Sequence, residues 1–85
     1  MSVNKKQRKT LKTIFENPIR ADIDWKEIES LFGALGAEIS AGKGSRIRVI
    51  LNGVRIVFHR PHPRKEAGRA TVKDVREFLM RAGIE

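Results

Sequence analysis

Two histidines stand among arginines in the stretch FHRPHPR, residues 58–64, and they are the side chains best suited to chemistry. His59 and His62 lie three residues apart. Near neutral pH one imidazole can take a proton from a ribose 2′-hydroxyl while the other gives a proton to the leaving oxygen. Neighbouring arginines would stabilise the charge that develops at phosphorus. In the alternative interpretation both histidines are outward-facing polar residues without a chemical role, and the residues alone leave the two interpretations evenly balanced.

Other reaction chemistries find little support. The chain has no cysteine, which excludes disulfides, thiolate metal sites and cysteine nucleophiles. A metal ion would need a third ligand such as Glu66, at no recognised spacing from the histidines. We therefore expect no metal and no cofactor. The loop GKGS at 42–45 lacks the G-x-x-x-x-G-K-[ST] spacing of a phosphate-binding loop, because Ala37 stands where the first glycine belongs, and nucleotide hydrolysis is rejected.

The composition indicates an anionic partner. With 18 Lys and Arg against 10 Asp and Glu among 85 residues, the formal net charge is +8. Such a charge attracts nucleic acid or an acidic protein. A chain of this length holds one core and no separate cofactor domain. No apolar run reaches the roughly 20 residues of a membrane span, and the N-terminus lacks the apolar core of a signal peptide, so we expect a soluble, cytoplasmic protein without membrane contact.

The N-terminal segment, residues 2–16, has the pattern of a basic helix. Its cations at helical spacing are Lys5, Arg8, Lys9 and Lys12. Apolar residues at helical spacing predict a helix in the second half of the segment, with a frayed first turn. Asn17-Pro18 ends it, because the residue before a proline is pushed out of helical geometry.

Two further helices are predicted from caps and apolar stripes. The second helix is expected to open at Asp24, with Glu27 completing a capping box. We expect its internal Gly33 to mark close packing against a neighbour. The last helix is predicted to begin with Thr71 as cap and to stop at Gly83.

Residues 45–60 are predicted to form a β-hairpin. The runs SRIRVIL and VRIVFHR alternate apolar and polar residues and flank Asn52-Gly53, which is typical of a two-residue type I′ turn. That turn pairs Arg46 with His59 at the open end of the hairpin. One set of side chains then shares a core face: Ile47, Val49, Leu51, Val54, Ile56 and Phe58. A second set shares the outer face: Arg46, Arg48, Ile50, Arg55, Val57 and His59.

The order of elements predicts an α+β fold. A short strand at 37–40 joins the hairpin in a three-stranded antiparallel sheet, with two helices packed on one face and an extra N-terminal helix. The outer face of the sheet stays open to solvent or to a ligand. We divide the chain into a basic N-terminal helical extension, 1–19, and a domain at 20–85.

With these elements in order, the chain resembles the HicA family of small bacterial toxins. Members of that family are messenger-RNA endonucleases with a double-stranded-RNA-binding-like (dsRBD-like) fold. The resemblance covers about residues 24–85. It is carried by the helix before the first strand, Gly44-Ser45 opening the second strand, a proline-histidine pair after the third, and a last helix ending in AGI. It implies a dsRBD-like fold, cleavage of mRNA, and a neutralising antitoxin of the HicB type.

The chain departs from the family pattern at one position. The Gly-Ser pair is typically followed by a histidine that is taken to be catalytic, whereas Arg46 stands here. An arginine can hold phosphate but is no base at neutral pH. Because His59 is predicted directly across from Arg46, its imidazole would occupy nearly the same space, and we expect His59 to be the base and His62 the acid or a phosphate ligand. The expected RNA contacts are Lys43, Ser45, Arg46, Arg48, Arg55 and Arg60.

Three functions stay open at this point. The first is a metal-independent endoribonuclease toxin held inactive by a HicB-like antitoxin. The second is a non-catalytic RNA-binding module of the same fold, which the replacement of the family histidine by Arg46 would allow. The third is a protein-interaction domain whose basic face meets only an acidic partner.

Overall fold

The elements follow the predicted order in a computed structural model that describes residues 3–84. They are α1 (Lys5–Ile14), α2 (Trp25–Ala34), β1 (Glu38–Ala41), β2 (Arg46–Leu51), β3 (Val54–His59) and α3 (Arg69–Arg81). Three helices and a three-stranded antiparallel sheet confirm the α+β class and agree with the dsRBD-like fold. Residues 1, 2 and 85, which the predicted extension and domain include, lie outside the described residues.

The sheet has the order β1-β2-β3, and its hairpin has the predicted register. Asn52 and Gly53 have φ values of 50° and 82°, the positive values that a type I′ turn requires. From that turn the pairing runs to Arg46 opposite His59. On its other side β2 pairs with β1, from Glu38 opposite Ile50 onward.

Helices α2 and α3 cover the inner face of the sheet with an aromatic cluster. The ring centroid of Phe58 on β3 lies 5.4 Å from that of Trp25 and 5.8 Å from that of Phe32, both on α2. Phe78 on α3 completes the cluster, with its centroid 5.7 Å from that of Phe32. Pairs at these separations add to the free energy gained from burial alone. The cluster therefore joins both helices to the strand that ends at His59.

Helix α1 is complete from its first turn, so the predicted fraying was wrong. The Gln7 backbone N–H donates to Asn4 Oδ1 at 2.8 Å, and the Asn4 backbone N–H donates to Gln7 Oε1 at 2.9 Å. This reciprocal capping box satisfies two backbone donors that a helix start leaves without partners. At the other end of α1, Ile14 is fully buried in the core.

Arg76 of α3 fastens the C-terminal end of α1. Its Nε donates to the Ile14 carbonyl oxygen at 2.9 Å, and its terminal nitrogens donate to the Glu16 carbonyl and to Asn17 Oδ1. These bonds occupy carbonyls that a helix end leaves unsatisfied. Thus α1 is joined to the helical layer by hydrogen bonds as well as by apolar contacts.

Helix α2 begins as predicted but differs in two details. The Asp24 side chain accepts from the Lys26 backbone N–H at 2.9 Å and caps the helix. Glu27 does not complete a capping box, because its carboxylate pairs with Lys6 Nζ at 3.0 Å. A Cβ atom on Gly33 would meet no atom within 4 Å, so the predicted close packing at this glycine is wrong.

Helix α3 begins earlier than the sequence predicts. Gly68 takes the N-cap position with φ 82°, and the helix starts at Arg69. Thr71 therefore lies inside the helix, so its prediction as the cap is wrong. Glycine adopts a positive φ readily because it has no Cβ. Gly68 therefore caps through its backbone conformation, without the side-chain hydrogen bond from which Thr71 was predicted.

Candidate functional site

Arginine side chains dominate the outer face of the sheet. Arg46 and Arg48 alternate along β2, and Arg55 lies on β3, all three exposed. Within residues 3–84 none of these arginines forms an ion pair with a carboxylate. A phosphate can therefore approach them without breaking an internal ion pair.

Polar side chains that could take part in a reaction lie at the open end of the hairpin. His59 ends β3 directly opposite Arg46, and both side chains are exposed. The loop before β2 is tight: the Gly42 N–H donates to the Arg46 carbonyl at 2.8 Å, and Gly44 has φ 66°. This loop brings Lys43 to the same end of the sheet.

The other RNA contacts predicted on the sheet, Arg48 and Arg55, lie farther from the end of the sheet that carries His59. At about 3.4 Å per residue, Arg48 stands roughly 7 Å along β2 from Arg46. Arg55 stands roughly 14 Å along β3 from His59. A stacked strand advances about 3.4 Å per nucleotide, so this row of cations spans on the order of four phosphates.

Arg60 differs from the other predicted RNA contacts. Its backbone N–H donates to the Ser45 carbonyl at 2.8 Å, which fixes the loop end, but its guanidinium points to the helical side. There Nε donates to Glu29 Oε2 at 2.7 Å and a terminal nitrogen donates to Oε1 at 3.2 Å. The structure thus separates the Arg60 side chain from the outer-face cations and gives it an internal partner.

Glu29 is the residue at this site that sequence reasoning missed. Its carboxylate also accepts a hydrogen bond from the Trp25 indole N–H. The hydrogen bonds from Arg60 hold the pKa of Glu29 below its usual value of 4.5, although partial burial acts in the opposite direction. Strand alternation could have indicated the inward direction of Arg60, since His59 faces outward.

His62 lies on an exposed loop whose two ends are fastened to α2. Arg60 binds Glu29 at the start of the loop, and the Lys65 carbonyl accepts from the Trp25 backbone N–H at 2.9 Å at its end. Among the described residues the imidazoles of His59 and His62 make no hydrogen bond. Both are open to an incoming ligand.

Neither a metal-ligand cluster nor a membrane-spanning helix occurs among the described residues. Between residues 3 and 84, no cluster of three His, Cys, Asp or Glu side chains could hold a metal ion. Over the same range no helix has the length and apolar character needed to cross a bilayer.

Comparison with protein families decides the family. The model of the HicA toxin family, the HicA toxin of bacterial toxin-antitoxin, matches residues 25–84. The chain belongs to the HicA toxin family. The resemblance seen in the sequence is thereby confirmed, and HicA membership gives the protein a toxin role and implies a cognate antitoxin. No curated protein and no solved structure gives a significant match.

The HicA match leaves α1 outside. It begins at Trp25, the first residue of α2, and runs to Ile84, so it includes the whole sheet and α3. Helix α1 is nevertheless part of the same core through Ile14. This HicA family protein therefore carries an additional packed helix beside the matched region.

Proposed function

We propose that this HicA family protein is a metal-independent endoribonuclease that cleaves messenger RNA in the cytoplasm and is neutralised by a HicB-like antitoxin. The observation that carries the proposal is the juxtaposition of His59 with Arg46 on an exposed sheet face, whose arginines pair with no carboxylate among residues 3–84. The pairing places a base beside a phosphate ligand. It also places His59 opposite the strand position where the family typically has a histidine.

The reaction is an attack by the neighbouring ribose 2′-hydroxyl on phosphorus. His59 takes the hydroxyl proton, the 2′-oxygen bonds to phosphorus, and the bond from phosphorus to the 5′-oxygen breaks. His62 gives a proton to the leaving 5′-oxygen. The products are a 2′,3′-cyclic phosphate and a 5′-hydroxyl. Arg46 and Lys43 offset the negative charge of the transition state, so the step needs no metal ion.

RNA binding in this proposal depends mainly on the phosphate backbone. Arg46, Arg48 and Arg55 follow one side of the sheet, and Lys43 and Ser45 lie at its His59 end. Such contacts position a strand but carry no sequence information. Arg60 acts by holding the loop that carries His62, because its guanidinium is paired with Glu29.

The antitoxin is proposed to cover the same face. Val57 lies on the edge strand β3, opposite Arg48, and is half-exposed between Arg55 and His59 on the outer face. An apolar side chain among cations suits a partner that presents an apolar anchor and acidic side chains. A HicB-like protein bound there would exclude RNA from His59.

The non-catalytic alternative has one observation in its favour. Arg46 stands where the family typically has its catalytic histidine, and arginine does not act as a base at neutral pH. A protein of that kind would bind RNA through its arginines without cleaving it. Its effects would depend on Arg46 and Arg48 and would be independent of His59.

Induced expression of the wild type beside His59→Ala separates the two functions. The proposal predicts growth arrest and cleaved messages for the wild type, and neither for His59→Ala with its fold intact by circular dichroism. Arg48→Gln is the matched surface control and should weaken cleavage only by weakening binding. The opposite result is that neither the wild type nor His59→Ala arrests growth, that messages stay whole, and that the purified protein binds RNA. The protein would then be the non-catalytic RNA-binding module and not an endoribonuclease.

A further inference from the structure

Helix α1 carries a row of exposed cations that we call the α1 stripe: Lys5, Arg8, Lys9 and Lys12. Their spacing of three and four residues places them side by side on one face of the helix. Among residues 3–84 no carboxylate pairs with any member of the stripe, whereas the neighbouring Lys6 pairs with Glu27 at 3.0 Å. The stripe is thus a block of uncompensated charge.

Folding alone does not account for this arrangement. The first turn of α1 contains no acidic residue, although the positive end of the helix dipole favours one there. Lys5 faces Lys9 and Arg8 faces Lys12 at a spacing of four residues, where like charges repel. An anion lying along the stripe would relieve both unfavourable interactions.

The stripe is held in place before any ligand arrives. The capping box at Asn4 fixes the first turn, and Gln7 Nε2 donates to Ser30 Oγ of α2 at 2.9 Å. Arg76 holds the last turn through the Ile14 carbonyl. Little conformational entropy is therefore lost from the helix backbone when an anion binds.

The stripe is separate from the proposed cleavage site. Helix α1 packs on α2 and α3, which cover the inner face of the sheet, so its cations lie on the helical side of the molecule. The arginines around His59 lie on the outer face. The family match, which begins at Trp25, does not include the stripe.

We propose that the α1 stripe is a second, sequence-independent contact for the phosphate backbone of RNA. The inference rests on the proposed function, because the strand held by the stripe is the strand presented to His59. At 1.5 Å per residue, the stripe is about 10 Å long, which matches roughly three phosphates of a stacked strand. Phosphate is favoured over an acidic protein because, within residues 3–84, the exposed large apolar side chains are Ile39, Val57 and Met80. None of them lies on α1, and a protein interface needs an apolar centre.

The proposal predicts a dependence on RNA length. The shortest dimension of the molecule is 21 Å, and we take it as the length that a strand covers between the outer face of the sheet and α1. At about 3.4 Å per nucleotide this requires on the order of six nucleotides between the two contacts. An RNA long enough to bridge both surfaces should gain affinity from the stripe through effective concentration.

The test measures binding of full-length protein to 2′-O-methyl RNA, which lacks the attacking hydroxyl and stays whole during titration. The stripe variant is Lys5→Gln, Arg8→Gln, Lys9→Gln and Lys12→Gln in one chain. The control variant removes four other exposed cations without ion pairs in the described structure: Lys26→Gln, Arg69→Gln, Lys73→Gln and Arg81→Gln. Both variants have the same net charge, and their folding is checked by thermal melting in high salt.

For a 30-nucleotide strand the stripe variant should lose about two units from the slope of log K against log salt, at about 0.7 per phosphate contact, and the control variant less than one. With a 4-nucleotide strand the difference between the variants should shrink. Equal slopes for the two variants would overturn the inference. It would also be overturned if the stripe variant lost antitoxin binding while its RNA binding stayed unchanged. Cleavage of ordinary RNA by the wild type is measured in parallel. If the wild type does not cleave RNA, the proposed function is overturned. If the wild type cleaves RNA but the two variants have equal salt slopes, only the proposed role of the α1 stripe is overturned.

Discussion

Replacing Glu29 tests the hydrogen-bonded cluster that holds the loop carrying His62. Glu29→Ala removes the acceptor of the Trp25 indole N–H, in a residue only 4% exposed. A buried donor left without a partner costs about 1–3 kcal/mol. The ion pair with Arg60 adds only about 0.2–1 kcal/mol, because the Arg60 side chain is 43% exposed and screened by water. We expect Glu29→Ala to lower the free energy of unfolding by about 2 kcal/mol.

Glu29→Gln is the matched control because its amide keeps an oxygen for Trp25 while it loses the charge. It should cost at most about 1 kcal/mol. Both variants can be measured by urea unfolding at pH 7, followed by the fluorescence of Trp25, the single tryptophan of the chain. Equal losses for the two variants would refute the role assigned to the indole hydrogen bond.

The same cluster gives a pH dependence with a definite sign. The pKa of Glu29 is lowered in the folded protein below its usual value of 4.5. The stabilisation is therefore complete above that value and is lost as the pH falls through the lower pKa of the folded state. The difference between wild type and Glu29→Gln should be constant above about pH 5.5 and should shrink as the pH falls below 4.5. A difference that grew in acid would contradict this sign.

Three further substitutions test the fold by thermal or urea unfolding. Ile14→Ala should cost about 2–5 kcal/mol, because the side chain is fully buried, and a loss below about 0.5 kcal/mol would show that α1 is a loosely attached extension. Gly53→Val should cost about 1–2 kcal/mol, since φ is 82° in the turn, and no loss would contradict a type I′ geometry. Gly33→Ala should stabilise the protein by up to about 1 kcal/mol, because a Cβ there meets no atom within 4 Å, and destabilisation would reveal a contact not present in this packing.

The hairpin and its register could be predicted because their determinants are local. Asn52-Gly53 needs positive φ at both positions, and the alternation on either side fixes which side chains share a face. Those two facts predict Arg46 opposite His59, which is the pairing in the structure. The family assignment depended on the same segment, together with the order of the elements.

The loop after β3 and the packing of α1 depend on contacts between residues distant in sequence. Glu29 and Arg60 are 31 positions apart, and no local pattern pairs them. Arg60 is among the RNA contacts predicted from the sequence, and its guanidinium bonds Glu29 on the helical side. Strand alternation indicates this direction, because Arg60 follows the outward-facing His59. The start of α3 at Gly68 was missed because glycine caps through its backbone conformation and leaves no side-chain signature.

The central claim is that His59 has taken over the role of the family histidine from across the hairpin. The most direct measurement is the cleavage rate of one defined RNA, in excess chelator, by purified wild type, His59→Ala and the double variant His59→Ala with Arg46→His. A general base contributes about 10²–10⁴-fold, so His59→Ala should lose that much activity while still binding RNA. The double variant should recover part of the loss, because it returns an imidazole to the paired position. Undiminished cleavage by His59→Ala would contradict the account.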